Sequence, residues 1–269
     1  MSVTVTAKYE TPEIRTLTDL ARAGLVIEQD GRTRLGDEFR IAGSRVNATI
    51  KVAMDGSERG SNLLLITSTR PGEGKSFTSL NLAAGLAQMT ERRVILVDVD
   101  SKPGCLSDLV GLRRARGMFN LVQDSAVDPE TLIVPTEVAG LYILPLGVPD
   151  PNISITGRER PLAVTAEALS QSMPDCVFVL DTGPLLSTSD PSVLAPTVAQ
   201  IVMVVEAERT QRAELDAALD LVRDSRRILL LLNKTSARAR SSFGAYSYYG
   251  DYYAKPVVVP PPPVIPPDA

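Results

Sequence analysis

The stretch best equipped for chemistry is Ser68-Thr69-Arg70-Pro71-Gly72-Glu73-Gly74-Lys75-Ser76. It follows a short apolar run at 63–67 and precedes an amphipathic stretch, so it reads as a strand-to-helix turn. Gly72 and Gly74 give the backbone freedom to turn successive N–H groups onto one anion. The segment Pro71, Gly72, Glu73, Gly74, Lys75, Ser76 and Phe77 would then wrap the phosphates of a nucleotide. Lys75 would reach the β- and γ-phosphates, and the Ser76 hydroxyl would ligate Mg²⁺ where the helix dipole favours anions. The pattern G-x-x-x-x-G-K-[ST] fails only at its first position, which is Thr69. A glycine-rich turn with no ligand is the plain alternative.

Two further acidic motifs stand where such a site needs them. Asp98 and Asp100 follow the apolar run 94–97, and Asp181 follows 176–180. In open α/β sheets ligands lie beyond the carboxyl ends of the strands, which is the edge the phosphate loop occupies. Asp98 and Asp100 are two residues apart and share a face if extended. Asp98 and Asp181 are candidate metal ligands, and Asp98 and Asp100 candidate catalytic groups beside Lys75. Asn233, after the run 228–232, is a candidate for reading an adenine edge, with a simple turn residue as the alternative.

The elements that must position these residues are legible as apolar runs at 63–67, 94–97, 141–146, 176–180, 201–205 and 228–232. None alternates apolar with polar, so they read as strands buried on both faces. Helical stretches at 76–89, 161–173, 190–199 and 210–224 fall between them. This alternation predicts an α/β fold with a doubly wound, mostly parallel sheet. Before it, one helix is expected to start at Thr11-Pro12 and another to run over 37–54, with Phe39, Ala42, Val46, Ile50 and Ala53 on one face. The expected organisation is an N-terminal arm at 1–60, a phosphate-loop domain at 61–235 and a flexible tail at 236–269.

Composition narrows the function. The 269 residues are 44% hydrophobic and 22% charged, which excludes wholesale disorder. A net charge of −4 argues against nucleic acid as a partner. No apolar run approaches the ~20 residues of a membrane span, and no secretory leader is visible. Two cysteines outside any C-x-x-C motif fit a reducing compartment, so a cytoplasmic location is expected. The absence of histidine removes the usual general base and leaves proton chemistry to carboxylates, lysines or tyrosines.

With these residues in view the chain resembles the bacterial tyrosine kinases, or BY-kinases, whose fold belongs to the MinD/ParA group of phosphate-loop NTPases. The likeness covers about 37–253 and rests on Pro71-Gly72-Glu73-Gly74-Lys75-Ser76, the Asp98-Val99-Asp100 motif, Asp181-Thr182-Gly183-Pro184 and a tyrosine-rich C-terminus. Gly140-Leu141-Tyr142-Ile143-Leu144-Pro145-Leu146-Gly147 and Glu38-Phe39-Arg40 point more narrowly to exosortase-associated tyrosine autokinases. The resemblance implies an ATP- and Mg²⁺-dependent autokinase of exopolysaccharide synthesis and export. It further implies a homo-oligomer, a membrane-embedded polysaccharide chain-length or activator protein that recruits the chain to the inner membrane, and a cognate tyrosine phosphatase. It assigns Lys75 and Ser76 to the phosphates and Mg²⁺, Asp98 and Asp100 to metal binding and tyrosine activation, and Asp181 to a metal contact through water. Ser101-Lys102-Pro103 stands where the family usually has arginine, and Gly183 where it has proline. The ring-packing motif E-x-x-R-x-x-R is not intact, because Asp37 and Arg40 are followed by Gly43. Arg70 replaces the signature lysine of the MinD/ParA group.

Five of the seven tyrosines fall in one short segment, as Tyr246, Tyr248, Tyr249, Tyr252 and Tyr253. Gly250-Asp251 breaks it, and serines and prolines flank it, which argues against a core strand. A stacking platform for single-stranded nucleic acid would need more than Arg238, Arg240 and Lys255 nearby. The segment reads as the phosphoacceptor of the kinase, followed by a proline-rich, polyproline-like end. Two other functions compete. A MinD/ParA-like regulatory ATPase would need no tyrosine tail, but it would need a membrane-seeking helix or a DNA-binding surface. A non-catalytic nucleotide-binding module would hold ATP without turnover.

Overall fold

The computed structural model describes residues 13–26, 33–56, 60–148, 159–225 and 227–236. The tyrosine cluster, the proline-rich end and the expected helix start at Thr11-Pro12 lie outside them. The chain divides into two units, Met1–Lys234 and Thr235–Ala269.

Seven strands form one sheet: β1 (Leu63–Ser68), β2 (Val94–Asp98), β3 (Val134–Pro135), β4 (Leu141–Leu144), β5 (Val177–Asp181), β6 (Gln200–Glu206) and β7 (Ile228–Asn233). Their order is β3-β4-β2-β5-β1-β6-β7. All pairings are parallel except β3 with β4. The doubly wound, mostly parallel α/β sheet is therefore as expected. The two-residue β3 carries too little pattern to be seen in the sequence. The run 141–146 stops as a strand at Leu144, because Pro145 has no N–H to continue the ladder.

Alternating strand residues feed two cores. Leu64, Ile66 and Leu96 face α1 (Leu17–Arg22), α2 (Arg34–Asp55) and α3 (Lys75–Met89). Leu63, Leu65, Ile95 and Val97 face the other layer. That layer holds α5 (Met118–Gln123), α6 (Glu159–Ser172), α7 (Asp190–Leu194) and α8 (Arg212–Asp220). A single turn, α4 (Leu106–Leu109), follows β2. The central strands are buried on both faces, as continuous apolar runs predict. β7 is the exception: it is an edge strand, with Leu230 and Leu232 half exposed.

The N-terminal segments pack on this domain. Thr16 caps α1 in a capping box with Asp19, and Leu20 is buried. α2 starts at Thr33 as its N-cap and buries Phe39, Val46, Ile50 and Ala53, four of the five residues expected. Gly43 is buried too, and a Cβ there would lie 3.4 Å from Met89 Sδ. That is an ordinary contact for a methyl group, but a side chain as long as arginine would have to fit beside Met89 and Leu82. The predicted helix at 190–199 becomes α7 followed by a 3-10 turn at Ala195–Thr197 containing Pro196. The helix at 210–224 shortens to α8. No helix among the described residues is long and apolar enough to cross a membrane.

Candidate functional site

The site lies at the carboxyl ends of three adjacent strands, β2, β5 and β1. Asp98 and Asp181 are register partners on β2 and β5, and Asp181 is in turn opposite Ile66 on β1. The loop after β1 therefore passes directly over both carboxylates.

Gly72 (φ 85°) and Gly74 (φ 93°) are both left-handed. Gly74 is the N-cap of α3 and leaves its first turn without a side-chain cap. The N–H groups of Glu73, Gly74, Lys75 and Ser76 donate to no group among the described residues. A helix start with open donors is a ready anion site. The sequence motif and the loop geometry agree.

Three of the expected nucleotide-contact residues, one in the loop, one on α3 and one at the end of β7, differ from a simple contact role. The Glu73 side chain is 1% exposed and turns away from the cradle. It accepts from Arg70 N–H at 2.8 Å, from Glu206 N–H at 3.4 Å and from the Thr210 hydroxyl. The Phe77 ring packs edge-on against Phe39, with centroids 5.7 Å apart, so its side chain belongs to the core. Asn233 donates its amide to Glu73 O at 2.8 Å, which makes it a brace on the loop rather than a free base-reading group. Glu73 and Phe77 contribute to the cradle through backbone alone, and Pro71 sits exposed at its rim.

Lys75 Nζ donates to Asp100 Oδ2 at 2.8 Å, with both side chains largely buried. Burial opposes the Lys75 charge, but Asp181, Asp100 and Asp98 outweigh it and hold the ammonium above the ordinary lysine value. Asp98 is fully buried and accepts Asp100 N–H at 3.1 Å and Ser107 N–H at 2.7 Å. Burial raises its pKa against those hydrogen bonds. Asp98 thus organises the loop after β2, while Asp100 meets the cation.

Asp181 is fully buried, and burial pushes its pKa up to about 7, against the pull of Lys75 and of bonds from Ser76 and Ser79. Ser79 Oγ donates to Asp181 Oδ1 at 2.7 Å. Asp181 Oδ2 is buried with no hydrogen-bond partner among the described residues. An orphaned carboxylate oxygen beside the Ser76 hydroxyl is the donor set a hydrated Mg²⁺ satisfies. No cluster of three or more His, Cys, Asp or Glu converges among the described residues. Mg²⁺ commonly takes one or two carboxylates with water and phosphate oxygens, so the residues present fit it.

Beside these carboxylates lies a cavity of about 420 Å³, lined by Ser101, Lys102, Pro103, Phe119 and Leu146 among others. Nothing in the sequence announced it, since its walls come from three chain segments: the stretch after β2, helix α5 and the stretch after β4. Arg70 donates to Glu214 Oε1 on α8 at 3.0 Å, which ties the loop to the opposite layer. Gly183 has a structural reason: a Cβ there would lie 2.7 Å from Thr188 Oγ1.

Known proteins are similar to this chain in sequence and in fold. Over 184 residues the chain is 32% identical to the putative tyrosine-protein kinase EpsB of Ralstonia nicotianae, covering 68% of this chain and 24% of that protein. It is 28% identical over 212 residues to the tyrosine-protein kinase CpsD of Streptococcus agalactiae, covering 76% of this chain and 86% of that one. The chain thus spans about a quarter of the first relative's length and most of the second's. The solved structure of the chimerical protein CapA2B2 superposes with a TM-score of 0.60 at 22% identity, covering 82% of this chain and 92% of that one. The resemblance to bacterial tyrosine kinases read from the motifs is thereby borne out. Residues 64–246 match the model of the CobQ/CobB/MinD/ParA nucleotide-binding domain, and the chain belongs to that family.

Proposed function

We propose that the protein is an ATP- and Mg²⁺-dependent protein-tyrosine autokinase that phosphorylates its own cluster Tyr246, Tyr248, Tyr249, Tyr252 and Tyr253 in a neighbouring copy. The observation that carries this reading is the placement of Asp100. It contacts Lys75 at 2.8 Å and adjoins Ser101, where the 420 Å³ cavity begins. On this reading the phosphate and acceptor sites would meet at one carboxylate.

The open N–H groups after Gly72 hold the nucleotide phosphates, and Lys75 balances charge on the group in transfer. Ser76, Asp181 and the Asp98 region would hold Mg²⁺, which when bound offsets negative charge on the phosphate oxygens. A phenol titrates near 10, so its proton must leave during transfer. Asp100 is the acceptor of the pair on this reading, because it adjoins the cavity; its Oδ1 accepts Lys102 N–H at 3.2 Å and its Oδ2 is freed when Lys75 turns to the phosphates. The cavity wall of Phe119, Leu146 and Pro103 suits an aromatic ring.

A MinD/ParA-like switch ATPase fits less well. The position of that group's signature lysine carries Arg70, which is engaged with Glu214. The relatives' names support tyrosine-kinase activity, and the motif resemblance adds a role in exopolysaccharide synthesis and export. We extend this to a homo-oligomer recruited from the cytoplasm to the inner membrane by a membrane-embedded activator and reset by a tyrosine phosphatase. The narrower exosortase link rests on the two short motifs named above. Incubation with radiolabelled Mg-ATP tests the activity. Label on tyrosine supports the kinase, free phosphate the ATPase, and no product a binding module.

A further inference from the structure

The last strand ends in two side chains that reach back across the sheet edge onto the phosphate loop. Lys234 Nζ donates to Gly72 O at 2.7 Å and pairs with Glu206 Oε2 at 3.4 Å. Asn233 Nδ2 donates to Glu73 O at 2.8 Å, and its Oδ1 accepts Lys234 N–H at 2.9 Å. Lys234 itself is left-handed, with φ 56°, a conformation that non-glycine residues adopt at a cost.

These bonds act on peptide planes. In a trans peptide the C=O and the following N–H point in opposite directions. Holding Gly72 O toward Lys234 therefore turns the Glu73 N–H the other way, into the cradle. Holding Glu73 O toward Asn233 does the same for the Gly74 N–H. Neither N–H has another partner among the described residues. The Asn233 amide also sits where a Gly74 Cβ would be, 2.2 Å from it, so the fit requires glycine. The Glu73 carboxylate, buried against Glu206 N–H and Thr210, anchors the same two peptides from the β6 side.

We infer that Asn233 and Lys234 are positioning residues that pre-orient two N–H donors for the β-phosphate of the nucleotide. Their contribution is to the phosphate end alone. The inference rests on reading 68–76 as a nucleotide phosphate loop, and it replaces the adenine-reading role for Asn233.

The test compares ADP with AMP, which lacks the β-phosphate. Displacement of a fluorescent ADP analogue gives both dissociation constants for wild type, Lys234→Met, Asn233→Leu and Lys234→Arg. The preference for ADP over AMP should fall about tenfold in Lys234→Met and Asn233→Leu, the size expected for losing one charge-assisted or buried hydrogen bond. AMP affinity should stay unchanged, and Lys234→Arg, which keeps a donor, should retain most of the preference. Equal losses toward ADP and AMP in Asn233→Leu would restore the base-reading role and overturn the clamp. So would an unchanged ADP preference in both variants. Wild-type protein that fails to bind ADP would overturn the phosphate-loop reading itself, and the clamp with it.

Discussion

Lys75 and Asp100 form a largely buried ion pair across 2.8 Å, joining the first turn of α3 to the loop after β2. The residue proposed to meet phosphate is thus already paired with the residue proposed to take the acceptor's proton. On the proposed kinase reading, nucleotide would draw the ammonium away and so release Asp100 when a phosphoryl donor is in place. Transfer and proton acceptance would then be linked through one side chain.

The linkage predicts opposite effects for two substitutions. Lys75→Ala should weaken ATP binding and reduce phosphotyrosine to background. Asp100→Asn should leave ATP affinity equal or tighter, since Lys75 loses its competitor. Its transfer rate should nevertheless fall by about 10²-fold or more for want of a proton acceptor. Nucleotide titration and a phosphotyrosine blot separate the two. An Asp100→Asn variant with wild-type transfer would remove this residue from the chemistry.

Gly72 and Gly74 should differ although both are left-handed. A Cβ at Gly72 meets nothing within 4 Å, whereas one at Gly74 would lie 2.2 Å from Asn233 Nδ2. Gly72→Ala should carry only the left-handed penalty, about 1–2 kcal/mol. Gly74→Ala should add displacement of Asn233 and cost several-fold more in nucleotide affinity. Chemical denaturation alongside ADP titration checks both, and equal losses would contradict the contact.

Much of this was readable from residue order. The strand runs, the loop and the three aspartates are local patterns, and each falls within a residue or two of its expected place. What the sequence concealed depends on tertiary contact. Asn233 reads as a base-reading residue or a turn residue until β7 is set two strands from β1. Glu73 looks like part of the phosphate cradle until Thr210 and Glu206 close on its carboxylate. Leu230 and Leu232 look buried because a run of leucines carries no mark of an edge position. The Gly43 substitution reads as loss of an assembly motif until α2 is packed and the position is buried beside Met89 and Leu82.

Asp181 sets a pH dependence for the nucleotide-free protein. Its pKa is raised to about 7 by burial, while an unfolded aspartate titrates near 4. Folded protein then holds the extra proton between these values, so stability is full below about pH 4 and is lost as pH rises through 7. The loss attributable to Asp181 is at most about 4 kcal/mol. Asp98, also raised by burial, acts in the same direction. Asp181→Asn should flatten the profile and be more stable than wild type at pH 8. Thermal unfolding from pH 5 to 8 measures this, and parallel curves for the two proteins would contradict it.

Cys105 should be inert. Burial, with Asp98 nearby, pushes its thiol up to about 12 from 9.0, and Cys176 is raised by burial as well. The thiolate is the reactive form, so a shift of this size lowers the alkylation rate about a thousandfold near pH 8. Iodoacetamide labelling followed by mass spectrometry, with and without urea, reports it. Fast labelling of Cys105 in the folded chain would mean that the loop after β2 opens.

The final expectation concerns which copy receives the phosphate. The chain leaves the domain at Lys234, beside Gly72, while the acceptor must enter beside Asp100 at the end of β2. In the sheet order β2-β5-β1-β6-β7 these exits are four strand spacings apart, about 19 Å. Tyr246 lies twelve residues past Lys234, an extended reach of about 40 Å, so distance alone permits a return to the same site. A return to the same site closes a loop at an entropic cost, which transfer to a neighbouring copy avoids. Phosphorylation should therefore rise with protein concentration. A Lys75→Ala chain, with its tyrosines intact, should be labelled when mixed with a chain lacking 241–269, although neither labels alone. A rate per molecule that ignores dilution, with no complementation in the mixture, would establish transfer within one chain instead.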